Sequence, residues 1–195
     1  MKIDGVESYF GILSKAIGKL PYETINQLAV ALVKAYKNDR GIYIFGNGGS
    51  AALASHMTCD LGKGTINGRQ KRFRVMSLTS NIPLMTAWAN DSSYADIFSE
   101  QLSNFVGPGD IAFAISGSGS SLNVLNGLRV ARQSGAVTLG LTGFQGGKMK
   151  DLCDICVVVP SDNMQIIEDL HLCVSHAIFT CIREKLSATA SAAFA

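Results

Sequence analysis

Ile42-Tyr43-Ile44-Phe45-Gly46-Asn47-Gly48-Gly49-Ser50 is an apolar run that ends in a Gly-rich turn and leads into a helical pattern. Ile111-Ala112-Phe113-Ala114-Ile115-Ser116-Gly117-Ser118-Gly119-Ser120-Ser121 repeats the arrangement further along the chain. Each reads as a strand whose carboxyl end opens into the start of a helix. The unpaired N–H groups at that point lie at the positive end of the aligned peptide dipoles, and glycine lets the main chain approach an anion closely. Serine hydroxyls add donors without adding charge. One such loop reads as an ordinary turn. Two of them, each after an apolar strand, point to a grip on phosphate.

Outward from these loops, short apolar runs near 41–46, 73–79, 110–115, 136–141 and 154–159 alternate with helical patterns near 50–62, 93–106, 119–134, 145–151 and 163–186. Such alternation predicts an α/β fold with a five-stranded parallel sheet flanked by helices on both faces. A sheet of this kind holds its ligand at the carboxyl ends of its strands, where both loops fall. Two further helical patterns, 4–18 and 22–38, precede the first strand, with Pro21 favourably placed before the second. They lie outside the alternation, and Val30, Leu32, Val33 and Tyr36 crowd the second with apolar side chains, so residues 1–38 are expected to form an oligomerisation arm. The pattern at 163–186 is apolar on several faces (Ile166, Ile167, Leu170, Val174, Ile178, Phe179) and should be buried against the sheet or another subunit. Residues 1–186 read as a single domain, and the low-complexity segment 187–195 as a disordered tail.

The 195 residues, 47% hydrophobic and 16% charged, can bury one substantial core. Lys and Arg number 17 against 15 Asp and Glu, and the net charge of +2 makes no general case for nucleic acid or an acidic membrane as partner. The one basic cluster, Arg69-Gln70-Lys71-Arg72-Phe73-Arg74, reads as a solvated strand entry or as a rim that attracts an anion. An odd number of cysteines, five, and no N-terminal signal pattern point to the cytoplasm. Cys153-Asp154-Ile155-Cys156 has the spacing of a redox or metal pair, but it lacks a second pair and opens a Val-rich strand, so it reads as structural. No apolar run is long enough to span a membrane. A nucleotide cofactor is not expected: Gly46-Asn47-Gly48-Gly49-Ser50 has neither the G-x-G-x-x-G spacing nor the Gly-Lys-Ser/Thr ending of nucleotide loops.

All three histidines lie on helical patterns that flank the proposed site. His56 and Asp60, four apart, share a helix face beyond the first loop, and Glu168, His171 and His176 lie on the last helix.

In this order, Gly46-Asn47-Gly48-Gly49-Ser50 with His56 and Asp60, Ala89-Asn90-Asp91, Ile97-Phe98, the second loop, Leu141-Thr142-Gly143, Gly146-Gly147-Lys148-Met149 and Glu168 through His176 resemble the sugar isomerase (SIS) domain family, nearest to its phosphoheptose isomerases. The resemblance spans nearly the whole chain. It implies a flavodoxin-like three-layer fold, cytoplasmic location, and conversion of sedoheptulose 7-phosphate to a manno-heptose 7-phosphate through an enediolate. It also implies a homotetramer or dimer with sites at subunit interfaces. Ser50, Ser116, Ser118 and Ser121 would hold the phosphate, and Asn47 and Asp91 would line the sugar. His176 matches a catalytic histidine, and Asp60 falls where a catalytic glutamate is expected. His56, Asp60, Glu168 and His176 fall on positions that bind zinc in some members.

The chain departs from the family pattern at Asp60, at Glu168 in place of a glutamine, at Gly117 in place of a threonine and at Ser120 in place of an asparagine. Isomerisation needs a base beside the carbonyl and an acid that steadies the enediolate oxygen. Asp60 as base would reach roughly 1–1.5 Å less far than glutamate, and a misplacement of about 1 Å can cost ~100-fold in rate. Two imidazoles and two carboxylates also suit Zn²⁺, although Glu168 and His176, eight apart, diverge by about 80° around an ideal helix. Loss of the glutamate would also suit a non-catalytic member of the family, a sugar-phosphate-binding regulator or a scaffold for a replication initiator, although such a protein has no physical need to keep His56, Asp60 and His176 together.

Overall fold

Strands β1 (Gly41–Gly46), β2 (Arg74–Ser77), β3 (Ile111–Ser116), β4 (Val137–Thr142) and β5 (Ile155–Val158) pair in parallel in the order β2-β1-β3-β4-β5. The computed structural model describes residues 3–66, 68 and 71–192. The chain leaves β1 toward β2 on one side and returns through β3 to β4 and β5 on the other, so strand order reverses between β1 and β3. A crevice opens at such a reversal, and the two Gly-Ser loops leave those two strands.

Side-chain alternation divides the core. Ile42, Ile44, Ile111, Phe113, Ile115, Leu139 and Leu141 point to one face, beneath α2 (Tyr22–Lys37), α3 (Gly49–Cys59) and α8 (Met164–Ala192). Tyr43, Phe45, Ala112 and Ala114 point to the other, beneath α5 (Ser99–Phe105), α6 (Leu122–Gln133) and α7 (Met149–Leu152). Both faces are covered, which is why β1 and β3 are buried at every position and read as unbroken apolar runs. On α8, Ile166, Ile167, Leu170, Val174, Ile178 and Ile182 enter the first cluster, as expected of a helix buried against the sheet.

The first helix, α1 (Val6–Ile17), is tied to α8 by the Tyr9 hydroxyl, which donates to Asp169 Oδ2 at 2.5 Å. That bond, with burial and the carboxylate charge behind it, pushes the Tyr9 phenol up to about 12. Val6 and Phe10 on the same helix stay 75% and 60% exposed. Of the apolar residues expected to crowd α2, Leu32 is buried, Val33 and Tyr36 are half-buried, and Val30 faces solvent.

Several elements differ from the sequence reading. A helix, α4 (Ile82–Asp91), lies where none was expected; Asn81 caps it by accepting from Leu84 N–H at 3.1 Å, and it buries no residue fully, so its periodicity is faint. The pattern at 93–106 is broken into a 3₁₀ turn, Tyr94–Asp96, and α5. The helix expected over 50–62 ends in a π-helical turn, Asp60–Gly64. The tail from 187 is helical as far as Ala192, continuing α8 through alanines of high helix propensity, and 193–195 lie outside the described residues.

Arg69 and Gln70 of the basic cluster also lie outside the described residues. The rest of it braces the amino end of β2, opposite the loops. Lys71 Nζ donates to the Lys37 carbonyl at 2.7 Å, Arg74 to the Asp39 carbonyl at 2.9 Å, and Phe73 packs on Tyr36. These residues form a strand entry and not a rim to the crevice. All five cysteines are free thiols, and Cys153 and Cys156 sit half-buried beside Gly140. No helix among the described residues is long and apolar enough to cross a membrane.

Candidate active site

At the first loop the backbone makes a left-handed step at Gly48 (φ 56°). A Cβ on Gly46 would stand 2.5 Å from the Ile115 carbonyl oxygen, so glycine there lets the loop lie against the end of β3. Ser50 N–H donates to the Asn47 carbonyl at 3.0 Å, and the Ser50 side chain is buried in the first turn of α3.

The second loop is strapped from behind. Gly143 N–H donates to the Gly117 carbonyl and Met149 N–H to the Gly119 carbonyl, both at 2.9 Å. Gly119 (φ 61°) lies so close to Gly146 that a Cβ would strike its carbonyl oxygen. Ser116 is buried with its Oγ 3.4 Å from Ser121 Oγ, while Ser118 is exposed. Ser121 precedes α6 without capping it through its side chain, which leaves its hydroxyl beside the helix amino terminus. The glycine at 117 has a local cause: a Cβ there would meet Met164 Sδ at 2.6 Å, so Met164 occupies the space a larger residue would fill.

Of the four residues considered for metal, three converge. His56 Nε2 lies 2.9 Å from His176 Nε2 and 3.4 Å from Asp60 Oδ2, and ligand atoms from all three lie within 4.8 Å of one another. Asp60 opens the π-helical turn, and Gly64 at its end lets α8 approach closely, since a Cβ there would meet the Phe179 ring at 2.7 Å. That approach brings the short Asp60 side chain to His176. Asp60 Oδ2 is buried and makes no well-aimed hydrogen bond. An orphaned carboxylate oxygen beside two imidazoles fits a shared proton or a divalent cation of the zinc type.

Glu168 does not join this triplet. Its carboxylate lies over the start of α3, where a Cβ on Gly49 would be 2.9 Å from Oε1. A cavity of about 360 Å³ runs from Gly49 and Ser50 past Glu168 and His171 to His56, joining the first loop to the histidines. His171 on its wall is 1% exposed, and neither ring nitrogen makes a well-formed hydrogen bond. Burial lowers its pKa to about 4, with the Thr142 backbone pulling weakly the other way. Asp91 is exposed at the end of α4, where it accepts from Asn90 Nδ2 at 2.8 Å.

Two residues near the loops carry no motif in the sequence. Asn123 is 2% exposed in the first turn of α6 and exchanges hydrogen bonds with Asn47, Nδ2 to Oδ1 at 2.8 Å and Oδ1 from Nδ2 at 2.9 Å. The Tyr94 hydroxyl donates to Asn47 Oδ1 at 3.0 Å. An amide two positions after a Gly-Ser loop, on the otherwise apolar buried face of a helix, is the only trace of Asn123 in the sequence.

A parallel sheet with serine-glycine loops on both sides of its reversal point is the architecture of a SIS domain. That family matches residues 9–143, and the chain belongs to it. Among its relatives, the chain is 40% identical over 167 residues to a phosphoheptose isomerase of Aliarcobacter butzleri, covering 86% of each chain. It is 34% identical to a probable phosphoheptose isomerase of Thermoplasma volcanium, over 93% of this chain and 92% of the other. The solved phosphoheptose isomerase structure from Neisseria gonorrhoeae superposes with a TM-score of 0.85 at 28% identity, covering 91% of this chain and 96% of that one.

Proposed function

We propose that this chain is a phosphosugar aldose–ketose isomerase that interconverts sedoheptulose 7-phosphate and a manno-heptose 7-phosphate in the cytoplasm. The observation that carries the reading is the meeting of His56, Asp60 and His176, of which His56 also lines a cavity that reaches Gly49 and Ser50 of the first Gly-Ser loop. Gly-Ser loops suited to phosphate and an acid–base cluster at the same end of the sheet suit a reaction in which the phosphate anchors the substrate and the sugar carbons react.

Ser116, Ser118 and Ser121, with the amino terminus of α6 and the hydroxyl of Ser50, receive the phosphate in this reading. The Glu168 carboxylate favours that end over the start of α3, where it would itself repel an anion. Asn47 and Asp91 line the sugar. Asp60 removes the proton from the carbon beside the carbonyl and returns it to the neighbouring carbon, while His176 donates to the carbonyl oxygen as it becomes a hydroxyl and recovers a proton from the neighbouring hydroxyl as that becomes the new carbonyl. The pair can do this in either direction, because each group ends a half-reaction in the state the reverse needs. His56, Asp60 and His176 are also the residues that would hold Zn²⁺, which when bound polarises a carbonyl or enediolate oxygen. The exposed apolar side chains of Val6, Phe10 and Val30 support a homo-oligomer, a tetramer or dimer built through the leading helices with sites at its interfaces.

The test is to incubate the protein with sedoheptulose 7-phosphate in D₂O, with and without Zn²⁺, and follow the sugar by NMR. An aldoheptose phosphate carrying deuterium beside the carbonyl is the expected product. Binding of the sugar phosphate with neither turnover nor exchange would overturn the enzymatic reading in favour of a sugar-phosphate-binding regulator.

A further inference from the structure

We propose that Asn123 is a positioning residue that turns Asn47 into a donor-only contact, so that the site demands a hydrogen-bond acceptor on the sugar atom facing Asn47. This rests on the sugar-phosphate reading above and adds to it a residue and a selection rule.

Which end of an amide is oxygen must be settled by its partners. Here a main-chain group settles it. Val124 N–H, which can only donate, lies 2.9 Å from Asn123 Oδ1. With its oxygen held there, Asn123 must direct Nδ2 at Asn47, and so the atom of Asn47 it meets at 2.8 Å is Oδ1. Asn47 Nδ2 then donates back to Asn123 Oδ1 at 2.9 Å. The Tyr94 hydroxyl takes the second acceptor position of Asn47 Oδ1 at 3.0 Å.

The consequence is a count of hydrogen-bonding capacity. Asn47 Oδ1 has two lone pairs, and both are engaged. Asn47 Nδ2 has two hydrogens, and one is engaged. What Asn47 can offer a ligand is a single N–H. An oxygen that accepts, from a carbonyl, an enediolate or a hydroxyl, satisfies it; a group that can only donate leaves both itself and the amide unpaired in a half-buried place, which is costly. The same bonds couple the two loops, because Asn47 follows β1 and Asn123 lies just past the second loop on α6.

Asn123 is buried, so its substitution is paired with one at the exposed Tyr94. Binding of sedoheptulose 7-phosphate and of inorganic phosphate is measured by calorimetry for wild type, Asn123→Leu, Tyr94→Phe, Asn47→Ala and Asn47→Ala/Asn123→Leu. The expected result is that Asn123→Leu weakens the sugar phosphate about 10-fold and Tyr94→Phe about 3-fold, as loss of one or two hydrogen bonds implies. Inorganic phosphate, which needs only the serines, should change by less than about 2-fold in either. The double variant should match Asn47→Ala, since Asn123 acts only through Asn47. A purely structural Asn123 would weaken both ligands together and add its effect to that of Asn47→Ala, and that result overturns the proposal. Wild-type affinity for the sugar phosphate in folded Asn123→Leu and Tyr94→Phe overturns it while leaving the sugar-phosphate reading intact. A wild-type protein that binds inorganic phosphate but not the sugar phosphate overturns that reading and this inference with it.

Discussion

Nε2 of His56 lies 2.9 Å from Nε2 of His176, although 120 positions separate the two residues in the chain. At that distance the two rings fit a hydrogen bond in which one imidazole donates its N–H to the other's lone pair, since two lone pairs facing each other would repel. Asp60 Oδ2, 3.4 Å from the same His56 nitrogen, places a carboxylate where it would favour an added proton or cation on the pair.

If Asp60 is the base, Asp60→Asn lowers kcat by about 10²–10⁴-fold and leaves sugar-phosphate binding nearly unchanged. The amide has almost the same shape but cannot accept the proton. Asp60→Glu separates reach from charge. Because Gly64 lets α8 approach closely, the longer side chain is expected to lose activity as well. Steady-state kinetics and solvent deuterium exchange read both; an Asp60→Asn protein with intact kcat excludes Asp60 as the base.

Zinc supplied at about 100 times its dissociation constant would add roughly 2.7 kcal/mol of stability. For a chain of this length that is about 5–10 °C in Tm. The rise should vanish in His56→Ala and persist in Glu168→Gln, because Glu168 lies over α3 and outside the triplet. Thermal scans with and without chelator distinguish the three-residue site from a four-residue one.

Acid should destabilise the fold through His171. Its pKa is lowered by burial to about 4 from an ordinary 6.5, so the unfolded chain binds a proton that the folded chain refuses. Stability from this group is whole above pH 6.5 and is lost as pH falls toward 4, by up to roughly 3 kcal/mol. Urea titrations between pH 7.5 and 4.5 should show a shallower decline in His171→Leu than in wild type. Parallel declines would mean that another group governs acid stability.

Gly117→Thr restores the side chain expected from the family pattern and should destabilise by less than about 1 kcal/mol, because Met164 Sδ, 2.6 Å from where the Cβ would go, is the far end of a flexible, partly exposed side chain that can turn aside. Met164→Ala in the same chain should recover most of that loss. Chemical denaturation of the two variants measures it, and a loss above about 2 kcal/mol in Gly117→Thr would show that Met164 is held in place.

The parallel sheet was legible in the amino-acid sequence because its signals are local. Ile42-Tyr43-Ile44-Phe45 and Ile111-Ala112-Phe113-Ala114-Ile115 are unbroken apolar runs, each followed by Gly and Ser, and buried parallel strands take that form. The same local logic found both loops and the His56–Asp60 pair, four residues apart on one helix. It missed α4, whose face is too weakly apolar to show a period, and the π-helical turn at Asp60, which depends on how the chain packs beyond α3.

The α/β class, the end of the sheet that carries both Gly-Ser loops and the residue types found there were readable from loops and periodicities in the sequence alone. Which of those residues meet depended on how the helices pack. Glu168 and His176 share a helix, yet the approach of α8 to α3 turns one toward Gly49 and the other toward His56. Asn123 became a partner of Asn47 only when β1 and β3 were set side by side. The reason is range: backbone hydrogen bonding and side-chain period act within a few residues, whereas how closely a helix packs is fixed by small residues such as Gly64 and Gly117 beneath α8 and by what packs against them.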